Sequence, residues 1–160
     1  MKDMKTVCVT GPREIPKNKI EYVRQELQRE IEQAIADGFT RFLSSMSNNV
    51  DLDFAAIVAK KKKQYPELYV EAVIPYSDRV KSKDKRFQEL MPQCSGVKVI
   101  SNERDRDCYF ARNRYLVEKS ERVIAVSDGK QKSDAAQTLR MAAAKGLELR
   151  IIDISDERIE

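Results

Sequence analysis

At 160 residues, 41% hydrophobic and 35% charged, the chain has the length of one domain and enough apolar material for a core, which excludes disorder by composition. Its formal charge of +4, from 30 Lys and Arg against 26 Asp and Glu, is too mild to argue by itself for nucleic acid. Histidine is absent, which excludes a Ser-His-Asp triad and any zinc site with histidine ligands.

Met1-Lys2-Asp3-Met4-Lys5 leads straight into a strand-like run and is read as leaving no room for a signal peptide. Thr6-Val7-Cys8-Val9-Thr10 is short and nearly all apolar or β-branched, the pattern of a buried strand, and Gly11-Pro12 stops it. Asn18 is the expected N-cap of a helix to Ala36, whose Ile20, Val23, Leu27, Ile31, Ala34 and Ile35 recur at steps of three and four; Asp37-Gly38 ends it. A second strand is expected at Arg41-Phe42-Leu43-Ser44, followed by the polar turn Ser45–Asn49. Asp51 is then expected to cap a helix running through Phe54, Ile57 and Val58 into Lys60–Lys63. A third strand, Tyr69–Ile74, is read as halted by Pro75.

From Ser77 to about Asp107 the pattern is irregular and charged, with a short helix near Phe87–Met91 and a short strand at Val97–Ile100. A helix at Cys108–Lys119, a strong strand at Arg122–Val126, a turn at Asp128-Gly129, a helix at Ala135–Lys145 closed by Gly146, and a last strand at Leu149–Ile152 complete the chain. Short apolar strands alternating with crossover-length helices predict a Rossmann-like, mostly parallel α/β sheet with helices on both faces. The expected strand order is 3-2-1 followed by the C-terminal strands, in one domain over residues 1–160. Cys8, Cys94 and Cys108 are odd in number and spaced like no zinc or redox motif; they fit a reducing, cytoplasmic setting, with Cys8 a small core residue.

Ligands of such sheets gather at the carboxyl ends of the strands, where strand order reverses. Three segments follow strand ends and feed helix N-termini suited to an anion: Gly11-Pro12-Arg13, Ser44–Asp51 and Ser127–Gln137. None matches a dinucleotide fingerprint or a Walker A loop.

Thr10-Gly11-Pro12-Arg13 resembles the T-G-h-R opening of the SLOG superfamily, which contains the Smf/DprA and LOG proteins. Ser44–Asp51 resembles the S-G-M-x-x-G-x-D turn of its YpsA-like branch, and Tyr109-Phe110-Ala111-Arg112-Asn113 resembles that branch's Y-x-x-R-N helix. Ser120–Val126 resembles the strand before its last loop, and Ser133–Thr138 falls where the branch has G-G-T-A-x-T. The resemblance implies a Rossmann-like fold whose loops bind nucleotides or nucleotide-derived molecules. The expected glycines are here Ser45, Asn49, Ser133 and Asp134. Asn and Asp tolerate a left-handed backbone, so the turns are expected to keep their shape, but Asp134 adds a negative charge facing any phosphate. A LOG-type hydrolase wants a Glu near Thr138, and threonine cannot serve as that acid or base, so rapid release of base from nucleoside monophosphates is not expected.

Arg13 and Arg112 are read as two guanidinium forks converging on a phosphate or carboxylate, and their removal as leaving stability unchanged where the side chains face a solvent-filled pocket. The plainer reading of each is a surface ion pair. Asn113 is a candidate for a ribose contact, and Ser127, Asp128 and Gly129 for the site's edge. Asp51 serves a helix cap first and a ribose hydroxyl or a cation second, and Tyr76 packs in its loop or stacks on a base. Lys60–Lys63 and the stretch of Lys81, Lys83, Lys85 and Arg86 lack interleaved aromatics, which ranks a nucleic-acid patch low; Asp105 and Asp107 match no metal site. The expected function is binding or sensing of a nucleotide-like small molecule, with no known cofactor, no metal and no membrane, and a homo-oligomer as a further expectation. The alternatives are a LOG-like nucleotide N-glycosidase, or a nucleic-acid or protein interaction module whose ligand site has decayed.

Overall fold

The structure, a computed structural model, describes residues 4–155. Met1-Lys2-Asp3, on which the signal-peptide expectation rests, and residues 156–160 of the single-domain reading lie outside the described residues. The strands are β1 (Lys5–Thr10), β2 (Phe39–Ser44), β3 (Tyr69–Tyr76), β4 (Gly96–Ser101), β5 (Arg122–Ser127) and β6 (Glu148–Asp153). The helices between them are α1 (Ile20–Ala36), α2 (Asn49–Lys61), α3 (Lys85–Leu90), α4 (Cys108–Lys119) and α5 (Asp134–Lys145), with short 3-10 turns at Lys17–Lys19, Ser77–Lys81 and Met91–Gln93.

All neighbouring strands pair in parallel, in the order β4-β3-β2-β1-β5-β6. This is the expected Rossmann-like α/β arrangement, with β1 inside the sheet. The chain steps outward from β1 to β4 and then returns through α4 to β5, on the other side of β1. Strand order therefore reverses between β1 and β5, and their carboxyl ends open the crevice where such sheets take ligands.

The period-two alternation of β1 divides the core. Val7 and Val9 pack with Val23, Leu27 and Ile31 of α1 and with Phe54 of α2, and Phe87 of α3 joins the same layer. Cys8 points the other way, toward Leu116 and Val117 of α4 and Ala142 of α5. Burying a side chain as fully as Leu27 or Phe42 stabilises by ~1.5–3 kcal/mol. Burial also pushes the Cys8 thiol up to about 12, so it is an inert core residue. Gly146 closes α5 with φ 82°, the left-handed cap that glycine allows without a steric cost. No helix among the described residues is long and apolar enough to cross a membrane.

Several boundaries differ from those read in the sequence, each for a local reason. Asn18 does not cap α1; it lies inside the 3-10 turn, and Lys19 takes the cap position with its side chain donating to the Ile154 carbonyl at 2.7 Å rather than to the helix start. Pro75 does not halt β3, which runs on to Tyr76. Its pairing with β2 has already ended at Ala72, and beyond Ile74 it meets β4 again only at Tyr76, so the missing proline N–H disrupts no ladder bond. The short third helix starts earlier, at Lys85, because the Asp84 carboxylate accepts from Phe87 N–H at 3.0 Å.

Candidate functional site

The loop from β2 into α2 is built around one buried carboxylate. Asp51 Oδ2 accepts from Ser45 Oγ at 2.9 Å, Ser47 Oγ at 2.9 Å and Ser47 N–H at 3.1 Å, and its residue is 2% exposed. Ser44 Oγ accepts from Met46 N–H at 3.1 Å and donates to the Asp51 carbonyl at 2.9 Å. Asp51 is not the cap. Asn48 is, its Oδ1 accepting from Asp51 N–H at 3.0 Å while its Nδ2 donates to the Gly11 carbonyl at 3.2 Å. That bond ties the end of β1 to the start of α2.

Nor is the left-handed backbone where the glycine substitutions suggested. Asn49 and Asp134 are the first residues of α2 and α5, and Ser133 caps α5 with an extended φ of −151°. Met46 is the residue other than glycine with positive φ among the described residues, at 55°. Its peptide is held from two sides, by Ser44 Oγ on its N–H and by Arg79 Nη2 donating to its carbonyl at 3.3 Å.

Burial pushes the Asp51 carboxyl upward, opposed by the charge of Arg112 and by the serine donors. An acid whose folded pKa exceeds its unfolded value contributes most to stability below that unfolded value, near 3.8, and loses the contribution as pH rises through the folded one. Asp51→Asn removes this loss. The stability of the variant relative to the wild type is therefore expected to be greater at pH 7 than at pH 4. Urea denaturation at both pH values checks it, and an equal difference at the two would refute it.

Above this loop lies a cleft of about 610 Å³ at the carboxyl end of the sheet. Its walls are Gly11, Pro12 and Arg13 after β1, Ser47 and Asn48 before α2, Arg79 after β3, Tyr109 and Arg112 of α4, and Lys132 to Ala135 at the start of α5. Arg13, Ser47, Asn48 and Arg79 also border a smaller adjoining hollow of about 200 Å³ that reaches Asn49 and Phe87. Two helix starts thus face one space, where N–H groups lack intrahelical partners.

The structure brings Gly11, Pro12, Arg13, Arg112, Ser133 and Asp134 to the cleft wall. It puts Ser44, Ser45 and Asp51 under the α2 loop, all buried. Asn113 is turned away, its Nδ2 donating to Gln137 Oε1 at 2.8 Å between α4 and α5. Ser127, Asp128 and Gly129 form a tight turn off the wall, in which Asp128 Oδ1 accepts from Lys130 N–H at 3.0 Å and Gly129 faces Ser155. Tyr76 stands one ring behind the wall, edge-on to Tyr109 at 6.2 Å between centroids. Thr138 is wholly buried within α5 and its hydroxyl has no hydrogen-bond partner among the described residues, so nothing at that position reaches the cleft.

Arg112 differs most from its sequence reading. It is 3% exposed rather than solvent-facing. Its Nε and Nη2 both donate to Asn113 Oδ1 at 3.2 Å, Nη2 also reaches Asp134 Oδ2 at 3.1 Å, and the guanidinium packs over the Tyr109 ring at 5.5 Å. Ser47, Asn48 and Lys132 of the wall fall within the segments expected from the sequence, and Tyr109 within the Tyr109–Asn113 motif; sequence reasoning missed Arg79. Arg79 lies three residues beyond β3, so the strand-end rule applied to that strand as well would have found it. Among the described residues no cluster of acidic or cysteine side chains suited to a metal ion occurs, Asp105 and Asp107 included.

The model of the YspA SLOG family (YpsA) matches residues 13–156. The chain belongs to this family. A UPF0398 protein of Bacillus pumilus (strain SAFR-032) is 25% identical over 138 residues, covering 78% of this chain and 74% of the relative. UPF0398 proteins of Bacillus thuringiensis (strain Al Hakam) and Bacillus cereus (strain B4264) are each 24% identical over 156 residues, covering 89% of this chain and 85% of theirs. The SLOG resemblance carried by Thr10–Arg13, Ser44–Asp51 and Tyr109–Asn113 is thereby borne out. In this YpsA-family chain the first of these motifs contributes to the cleft wall, the second supplies the loop that shapes it, and Tyr109 and Arg112 of the third line it.

Proposed function

We propose that this chain binds a nucleotide-like small molecule, holding an anionic group between Arg13 and Arg79 at the start of α2. The observation that carries the reading is the convergence of Arg13, Arg79 and two helix N-termini on one cleft at the strand-order reversal. Neither Arg13 nor Arg79 has an acidic partner among the described residues, so the fork of Arg13 and the donors of Arg79 not given to the Met46 carbonyl remain available to a phosphate or carboxylate. Tyr109, partly buried on the same wall, offers a ring for a base. Arg112 fixes the wall rather than closing on the ligand as a second fork. The three free cysteines support a reducing, cytoplasmic setting.

Calorimetry with AMP, adenosine and inorganic phosphate tests the reading. AMP is expected to bind, and adenosine more weakly. A charge-assisted hydrogen bond contributes roughly 1.5–3 kcal/mol, so Arg13→Ala and Arg79→Ala should each weaken AMP roughly 10- to 150-fold. Arg13 is exposed, and its removal should leave the melting temperature unchanged. Arg79→Ala also gives up the bond to Met46 and the stacking on Phe87, at about 0.5–1 kcal/mol. If none of the three compounds binds, or if AMP binds both variants as tightly as the wild type, the reading fails.

A further inference from the structure

The two ends of the cleft differ in charge. At the α2 end the guanidiniums of Arg13 and Arg79 have no acidic partner among the described residues. At the α5 end Asp134, the first residue of the helix, points its carboxylate at Arg112 with a 3.1 Å contact, while its side chain stays 61% exposed on the cleft wall. One carboxylate there answers both the helix start, whose dipole favours a negative group, and a guanidinium whose own side chain is 4% exposed. The Nε and Nη2 edge of that guanidinium is already filled by Asn113 and Asp134. Lys132, two residues before Asp134 on the same wall, is exposed and forms no ion pair with Asp134 among the described residues.

We propose that Asp134 acts as a built-in anion that limits the cleft to ligands with a single anionic group; the inference rests on the anion-binding reading above. A phosphate arriving at the α5 end must displace Asp134 from Arg112 and then remain beside its charge. A hydroxyl arriving there meets an acceptor instead. The ligand class this selects has one phosphate or carboxylate at the Arg13 and Arg79 end and an uncharged, hydroxyl-bearing portion, such as a sugar, against Asp134. A pyrophosphate that spans both ends is rejected by like charge.

The test is calorimetry with AMP, ADP and inorganic pyrophosphate on the wild type and on Asp134→Asn, Asp134→Ser and Asp134→Glu, with thermal melts alongside. Asp134 is exposed in a first helical turn, so all three variants are expected to fold, and Asn and Ser report independently of each other. The wild type should bind AMP at least as tightly as ADP and more tightly than pyrophosphate. Asn and Ser should raise the affinity for ADP and pyrophosphate, relative to AMP, by at least about tenfold, whereas Glu should keep the wild-type ranking. A wild type that prefers ADP, or neutral variants that keep the wild-type ranking while AMP still binds, overturns the role of Asp134 alone. Absence of binding by all three compounds to every protein overturns the anion site and this inference together.

Discussion

Arg112→Ala is expected to lower the unfolding free energy at pH 7 by about 3 kcal/mol, the scale of a buried charge left without its partner. Asp51 is 2% exposed, and the positive charge of Arg112 is the largest influence opposing the burial that disfavours its ionised form. With Arg112 gone, Asn113 Oδ1 loses its donor and Asp134 faces the cleft uncompensated. AMP binding by the folded fraction should therefore weaken at least about tenfold by like-charge repulsion, although Arg112 itself need not touch the ligand. Arg112→Lys should restore only part of both losses, because a point charge cannot bridge Asn113 and Asp134 as a planar fork does. Asp51→Asn placed on the Arg112→Ala background should recover about 1 kcal/mol, a coupling typical of neighbouring charged groups. Urea titrations of the four proteins of this cycle decide the matter. An Arg112→Ala variant that melts with the wild type would mean that the arginine is not a buried counter-charge.

Gly11→Ala should be almost as disruptive, for a reason of space alone. The φ of Gly11 is not in the left-handed region, but a Cβ there would stand 2.8 Å from Val50 Cγ1 and 2.9 Å from both Cβ and Cγ2. Val50 is fully buried in the first turn of α2, and a β-branched side chain in a helix has essentially one rotamer to offer. The start of α2 must then move away from β1, which stretches the Asn48 bond to the Gly11 carbonyl and spreads the cleft. A loss of about 1–3 kcal/mol is expected, as for other overpacked cores, with weaker AMP binding in parallel. Val50→Ala removes two of the three close atoms. The double variant should accordingly be about 1 kcal/mol more stable than the sum of the single changes predicts. Strict additivity would show that the contact between β1 and α2 does not limit this position.

What the sequence by itself determined was local and periodic. Val7 to Val9 and Val123 to Val126 read as buried strands because consecutive apolar residues serve both faces of a covered sheet. The three- and four-residue steps of α1 gave its buried face, since Val23, Leu27, Ile31 and Ala34 are the residues that the core hides. Crossover-length helices then left few strand orders, and the short motifs at Thr10–Arg13 and Tyr109–Asn113 carried the family. Tertiary structure decided the rest. Asn48 and Asp51 are both good capping residues three positions apart, and the serines folded back over Asp51 settled which one caps α2. Asp128 and Gly129 follow the strongest strand yet turn off the cleft wall, whereas Arg79, from a charged stretch without periodicity, enters it. Arg112 reads as a surface arginine until Asp134, 22 residues away, meets it across two helices. Propensity and periodicity act over a turn or a strand. Which charge is buried, and against which partner, depends on side chains that become neighbours only once the sheet has brought their helices together.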